Sequence, residues 1–293
     1  MNVELQQLKI FRECPAKYKF TYIDKVKPEF TDVLVWSEYV LQKLFARYIY
    51  HELGGITTQL HTLQKTFEEQ WEASAHPLGP SDVADEMKTM SMLAVYNFWK
   101  CFSDFFAPTA KHDPYILPNL PFNIGKVEWT TPKKHVIEGY IDAVYLNSIG
   151  PNIVKWVHYP PQSGCMDTEY EILLYTHAYK QKTHNVPAEI LIFYLYDATS
   201  ISLSGSRDTL CLRFYDYLID AYGNAKDTNN FYPRIGQHCR RCPHQKHCMT
   251  KHGINFEGGI KYGRQRRYPR LTGPASKVQR LSPMSELRGA FAF

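Results

Sequence analysis

The sequence predicts an α/β fold: a core of strands and helices, with a helical block before it and a cysteine cluster after it. Three observations carry this. Helical periodicity dominates residues 38–105. Alternating or β-branched and aromatic runs occupy 126–159 and 188–203, with one helical stretch between them. Cys239, Cys242 and Cys248 then follow as C-x2-C-x5-C among polar and basic residues, a setting that packing does not explain.

Taken in order, Leu5, Leu8 and Phe11 predict a short helix from Val3 to Arg12. A second helix starts at Pro15, since proline suits the first helical position. Cys14 lies between the two and is the candidate fourth ligand to the distant cluster. Val40, Leu41, Leu44, Phe45, Tyr48 and Ile49 share one face of a helix over 38–53, closed by Gly54-Gly55. Ile56, Leu60, Leu63, Phe67 and Trp71 mark the next helix, and Ala75 to Ser81 reads as a loop. A long helix from Asp82 to Phe105 carries Met87, Met90, Ala94, Phe98, Cys101 and Phe105 as a core stripe.

Pro108 to Pro121 reads as a loop. Lys126–Thr130, His135–Leu146 and Asn152–Tyr159 then predict three strands in an antiparallel meander. Tyr170, Leu173, Leu174, His177 and Ala178 predict a helix over 167–183. A strand at Ala188–Asp197, a hairpin partner at Ser200–Leu203 and a helix at Thr209–Tyr222 complete the core. This element order is that of an α/β core with a helical insertion before it.

A chain of 293 residues, 44% hydrophobic and 22% charged, can bury a full core without cross-links. No apolar run reaches the roughly 18 residues of a membrane span. The first residues show no signal-peptide pattern, so a cytoplasmic location is expected, with no membrane partner. In a reducing compartment the clustered cysteines point to metal ligation rather than disulfides. Cys101, Cys165 and Cys211 are scattered and read as ordinary packed thiols. The net charge of +5 is uneven: residues 257–293 hold eight Lys or Arg against two Glu, which is +6 and leaves −1 for the first 256. The domain is expected to span 1–256, with a helical block at 38–107 and an α/β core at 122–223, and 257–293 to form a basic, flexible tail. A basic tail suits a polyanion such as nucleic acid, and equally a solvated end.

Cys-Pro-Ala-Lys-Tyr-Lys-Phe-Thr-Tyr-Ile from Cys14, Gly139-Tyr140-Ile141-Asp142 and the C-x2-C-x5-C run form an ordered set. The set resembles the RecB-like branch of the PD-(D/E)XK nucleases, to which AddB-type helicase–nuclease subunits and the CRISPR adaptation nucleases belong. The resemblance covers residues 5–253. It implies a restriction-endonuclease-like core, a mixed sheet flanked by helices. It also implies a [4Fe–4S] cluster on Cys14, Cys239, Cys242 and Cys248, stapling distant parts of the chain together. Four thiolates are the usual complement of such a cluster, and a four-cysteine zinc site uses the same set.

For cleavage, the resemblance implies an Asp at the end of Gly-x-Ile-Asp, an Asp-x-Lys on the next strand and a Gln-x-x-x-Tyr on the following helix. A His on the early helix often adds a ligand. Such a site would work through Mg2+ or Mn2+. Asp142 fills the first position. Lys155 stands where the Asp belongs and Val157 where the Lys belongs. Glu171 and Tyr175 keep the helix spacing with Glu for Gln, and Leu41 stands at the His position. Residues 149–161 hold no Asp or Glu, so a shifted alignment restores nothing. A lysine beside Asp142 is expected to pair with it. The competing arrangement is a relocated site drawing on Glu128, Glu138, Asp142, Asp167, Glu169 and Glu171 with Lys155.

Three functions follow as expectations. The first is a catalytically degenerate nuclease-fold protein that binds DNA, as single strands or ends, or positions it for a helicase, nuclease or other protein partner. Arg240, Arg241, Lys246 and Lys251, with Arg264, Arg266, Arg267 and Arg270, would track phosphates, and Tyr262 and Tyr268 would stack on bases. The second is an active metal-dependent exonuclease with a rearranged site. The third is a structural subunit that does not bind DNA.

Overall fold

The computed structural model describes residues 2–106, 116–125, 136–147, 149–159, 166–204 and 212–254. A mixed α/β fold emerges, with helices on both faces of a six-stranded sheet. Strand β1 (Asn2–Glu4) leads into α1 (Leu5–Glu13), then α2 (Pro15–Tyr18), which continues as a π-turn over Lys19–Ile23. The two-residue strands β2 (Thr31–Asp32) and β3 (Leu78–Gly79) pair in parallel beside the helical block. That block consists of α3 (Val33–Leu53), α4 (Leu60–Glu72) and α5 (Ser81–Cys101). Then come β4 (Ile116–Gly125), β5 (Val136–Asn147), β6 (Gly150–Val157), α6 (Met166–Thr183), β7 (Glu189–Tyr194), β8 (Thr199–Ser204) and α7 (Leu212–Thr228). A 3-10 turn at Gln237–Arg241 and α8 (Gln245–His252) carry the three clustered cysteines.

The sheet runs β1-β5-β6-β7-β8, with β4 along β5. The β4–β5, β5–β6 and β7–β8 pairs are antiparallel; β1–β5 and β6–β7 are parallel. The parallel β6–β7 pair needs a crossover, and α6 supplies it.

Two expectations are corrected. Residues 2–4 extend along β5 before the first helix begins, because Val3 pairs with Ile137 and is buried there. The meander's first strand is β4, inside a stretch whose prolines read as a loop. Pro118 and Pro121 sit on a strand whose only described partner is β5, and a sheet margin tolerates a missing N–H. Lys126–Thr130 and the tail at 257–293 lie outside the described residues.

Two cores lie on the two sheet faces. Phe45, Phe98 and Phe106 of the helical block and its continuation pack on Tyr145, Trp156 and Phe193. On the other face, Leu8 and Phe11 of α1 and Leu174 of α6 pack with Tyr222 of α7 on Ile137, Ile141 and Ile153. The faces of the β4–β5 ribbon swap along its length. Ile137 and Ile141 look to α1 and α6, whereas Ala143 and Tyr145 look to the helical block. Between them the ladder skips Asn119 and Asp142, and Asn119 takes a left-handed backbone, φ 51°. Asp142 thus stands where the strand turns over.

Phe98 joins the helical block to the sheet. It stacks on Phe45 at 3.8 Å and 9° and meets Trp156 edge-on at 5.1 Å. Phe98→Ala is expected to cost about 3–5 kcal/mol in denaturant unfolding; a loss below about 1 kcal/mol would show that this contact does not unite the two layers.

Candidate functional site

A groove of about 2280 Å³ runs between α1, α3, the β5–β6 strands, α6 and the segment before Cys239. Its floor is built by three neighbouring elements. Asp142 ends the Gly139-to-Asp142 run of β5, Lys155 lies across from it on β6, and Glu171 and Tyr175 lie one turn apart on α6. Gly139 matters here because a Cβ there would come within 2.7 Å of the Phe122 ring and 3.3 Å of Leu5. The glycine lets β4 and α1 close on the site.

Three of these side chains converge on the ammonium of the fourth, Lys155. Lys155 Nζ lies 3.0 Å from Asp142 Oδ2, 3.2 Å from Glu171 Oε2 and 3.5 Å from the Tyr175 hydroxyl. The Asp142 carboxylate is otherwise occupied: Trp156 N–H donates to Oδ2 at 2.9 Å and Tyr175 OH donates to Oδ1 at 3.1 Å. The other Glu171 oxygen pairs with Lys9 of α1. Lys155, Asp142 and Glu171 side chains are 11%, 10% and 7% exposed, so water contributes little to holding these charges apart.

The electrostatics follow. Burial opposes the charge on Lys155, but Asp142 and Glu171 outweigh it and hold its pKa well above the ordinary lysine value. Burial alone would raise the Glu171 carboxyl; Lys155 and Lys9 outweigh that and draw it down to about 2. Glu38 on α3 also faces the groove, and burial raises its pKa against the pull of Lys9. His158 is lowered to about 3, by burial first and then by Lys155, so it is neutral. The floor is an ion-pair network whose lysine stays protonated, and a protonated lysine cannot take a proton from water.

The remaining predicted positions scatter. Val157 packs with Ile172, Ile190 and Ile192. Leu41 is fully buried in the helical block, while Glu38, three residues earlier, reaches the groove. Glu138 lines the groove; Glu128 lies outside the described residues, and the side chains of Asp167 and Glu169 are not described. Arg240 is exposed, and Lys246 is 82% exposed and pairs with Glu29 at 2.8 Å. Arg241 turns inward to Glu13 and Asp32. Arg264, Arg266 and Arg267 lie outside the described residues. Lys9 and Glu38 were missed in the sequence because nothing in their spacing links them to residues 142–175.

Cys14, Cys239, Cys242 and Cys248 line a second, small cavity of about 20 Å³, with Lys17 and Phe20 beside them. Cys14 caps α1 and precedes Pro15 of α2. Backbone N–H groups point at the sulfurs: Arg234 to Cys14 at 3.4 Å and Gly236 to Cys239 at 3.5 Å, while the His244 backbone bonds to Cys242. Such donors suit thiolates and thus a thiolate-ligated group. As free thiols, Cys239, Cys242 and Cys248 resist ionising: burial raises Cys239, pushes Cys242 up to about 12 and Cys248 to about 11. Among the described residues, no three His, Cys, Asp or Glu side chains converge as a site for one metal ion. No helix among them is long and apolar enough to cross a membrane.

No family model and no curated protein matches the sequence. The fold is similar to that in "Crystal structure of SSO0001", with a TM-score of 0.37 and 10% identity over 84% of this chain and 85% of that one.

Lys155→Met leaves Asp142 without its cation and Glu171 with Lys9 alone. A loss of about 3–5 kcal/mol at pH 7 is expected. The Glu171 pKa is lower folded than unfolded, so its stabilising contribution is full above about 4.5 and fades as pH falls toward 2. Chemical denaturation from pH 7 to pH 2 should therefore show wild-type stability falling below about 4.5, and Glu171→Gln should flatten that fall. An equally steep fall in Glu171→Gln would contradict the assignment.

Proposed function

We propose that this chain is a catalytically degenerate nuclease-fold protein of the RecB-like PD-(D/E)XK type. It binds DNA, as single strands or ends, or holds DNA for a helicase, nuclease or other protein partner. The observation that carries the loss of catalysis is the Lys155 ammonium between Asp142 and Glu171. Divalent-cation catalysis needs those oxygens at about 2.0–2.1 Å from the metal. A metal there would sit within a few ångströms of the ammonium, in a site with little water to screen the repulsion. Lys155 fills the cation's place but cannot polarise phosphate or lower the pKa of bound water as Mg2+ or Mn2+ would.

Cys14, Cys239, Cys242 and Cys248 would hold the [4Fe–4S] cluster. Zinc is the alternative occupant. The cluster's role in this reading is to clamp residue 14 to residues 239–248, which closes a long loop and favours the folded state.

The groove is not a polyanion track on its own, because seven Lys or Arg and seven Asp or Glu line it. The attraction for phosphates in this reading comes from Arg240, Lys246 and the +6 segment at 257–293. Labelled single- and double-stranded DNA incubated with Mg2+ or Mn2+ should stay intact. Gel shifts across a salt series should show binding that weakens steeply with salt. Truncation after Gly258 should remove most of that binding and its salt dependence. Cleavage abolished by Asp142→Ala would establish the rearranged nuclease instead. Absent binding at low salt would leave the structural-subunit reading.

A further inference from the structure

Two of the helices that deliver charged side chains to the groove, α1 and α3, are anchored beside the cysteine cavity. Helix α1 brings Lys9 to Glu171 and is capped five residues later by Cys14, about 7.5 Å along a helix. Helix α3 brings Glu38 to the groove, and its N-cap is Asp32, whose Oδ1 accepts the Leu34 N–H at 3.0 Å. Asp32 is more than a cap. Its Oδ2 accepts from Lys17 Nζ at 2.6 Å, and its Oδ1 lies 4.0 Å from Arg241 Nε. Glu13 closes the ring, pairing with Lys17 at 2.6 Å and with Arg241.

The position of each member gives the ring its meaning. Lys17 lines the cysteine cavity, and Arg241 lies between Cys239 and Cys242. Glu13 ends α1 and Asp32 begins α3. Lys17 and Asp32 side chains are only 4% and 7% exposed. Charges buried to that depth are tolerated while their partners stay in place and are costly once a partner leaves. The ring therefore forms or opens as a unit.

We propose that Asp32 is a positioning residue that couples the state of the four-cysteine pocket to the carboxylate–lysine site, through Lys17 and Arg241. When the cysteine segment is held, Arg241 and Lys17 fix Asp32 and Glu13, and the adjoining turns of α3 and α1 are fixed with them. When it is released, Arg241 departs. Glu13 and Asp32 then share one cation, and the turns that place Lys9 and Glu38 loosen. Coupling of this kind is reciprocal, so a ligand that needs Lys9 and Glu38 in place tightens the cysteine pocket. The inference does not depend on what the groove binds.

Asp32→Asn isolates the charge, because asparagine still caps α3 but attracts neither Lys17 nor Arg241 as a carboxylate does. Hydrogen exchange by mass spectrometry on the full chain as purified would compare wild type, Asp32→Asn, Cys242→Ser and the double variant. Cys242→Ser is expected to raise exchange about tenfold or more over residues 5–13 and 33–38, as well as over 237–252. Asp32→Asn is expected to raise it over 5–13 and 33–38 with all cysteines intact, leaving 44–53 protected. The double variant should add nothing further at 33–38. An effect of Cys242→Ser confined to 237–252, or wild-type exchange at 5–13 and 33–38 in Asp32→Asn, overturns the proposal. Should Cys242→Ser not fold, Arg241→Gln keeps every cysteine and should loosen the same two turns; unchanged turns there overturn it equally.

Discussion

The ammonium of Lys155 is the cation around which Asp142, Glu171 and Tyr175 are arranged, and the floor of the groove depends on it. Two carboxylates that face one ammonium with little water around them are stabilised by the positive charge between them. A lysine on β6 supplies that charge from within the chain. Lys9 supplies a second from α1. The result is a neutral, self-contained network: two acids, two lysines and a tyrosine whose hydroxyl donates to Asp142. An internal cation is permanently present, so it can hold this part of the fold together without an added ion.

The surrounding architecture serves the same convergence. The face swap of the β4–β5 ribbon at Asn119 and Asp142 interrupts the ladder, and the Asp142 carboxylate takes the Trp156 N–H. Helix α1 then spans from this site to the cysteine pocket, where Cys14 lies with residues more than two hundred positions away. Contacts of similar sequence separation surround it: the Tyr18 and Tyr222 hydroxyls meet at 2.7 Å, and Phe11 meets Tyr222 edge-on. The two segments are thus held together around the four cysteines by packed aromatics and buried ion pairs.

Much of this was legible in the sequence, for reasons that differ by element. Helices α3, α4 and α5 were readable because each buries one stripe, and period is what a sequence displays best. Strands β5 to β8 were readable from their β-branched and aromatic runs. Strand β4 was hidden by Pro118 and Pro121, and β1 by its brevity. The proximity of Asp142, Lys155, Glu171 and Tyr175 followed from the ordered motifs and the resemblance they carry. Lys9, Glu38, Lys17 and Asp32 were not visible, because what matters about them is a partner distant in sequence. Asp32 had a faint local signal as a capping residue before an apolar run; the start expected for that helix lay five residues too late to use it.

The proposed exclusion of a divalent cation by Lys155 is open to direct measurement. Electron paramagnetic resonance of Mn2+ titrated with the protein tests it most directly, because bound and free ions give different signals. Wild type is expected to leave the ion free, whereas Lys155→Ala should bind it, and Lys155→Ala with Asp142→Asn should release it again. Mn2+ bound by wild type and lost in Asp142→Asn would contradict the account.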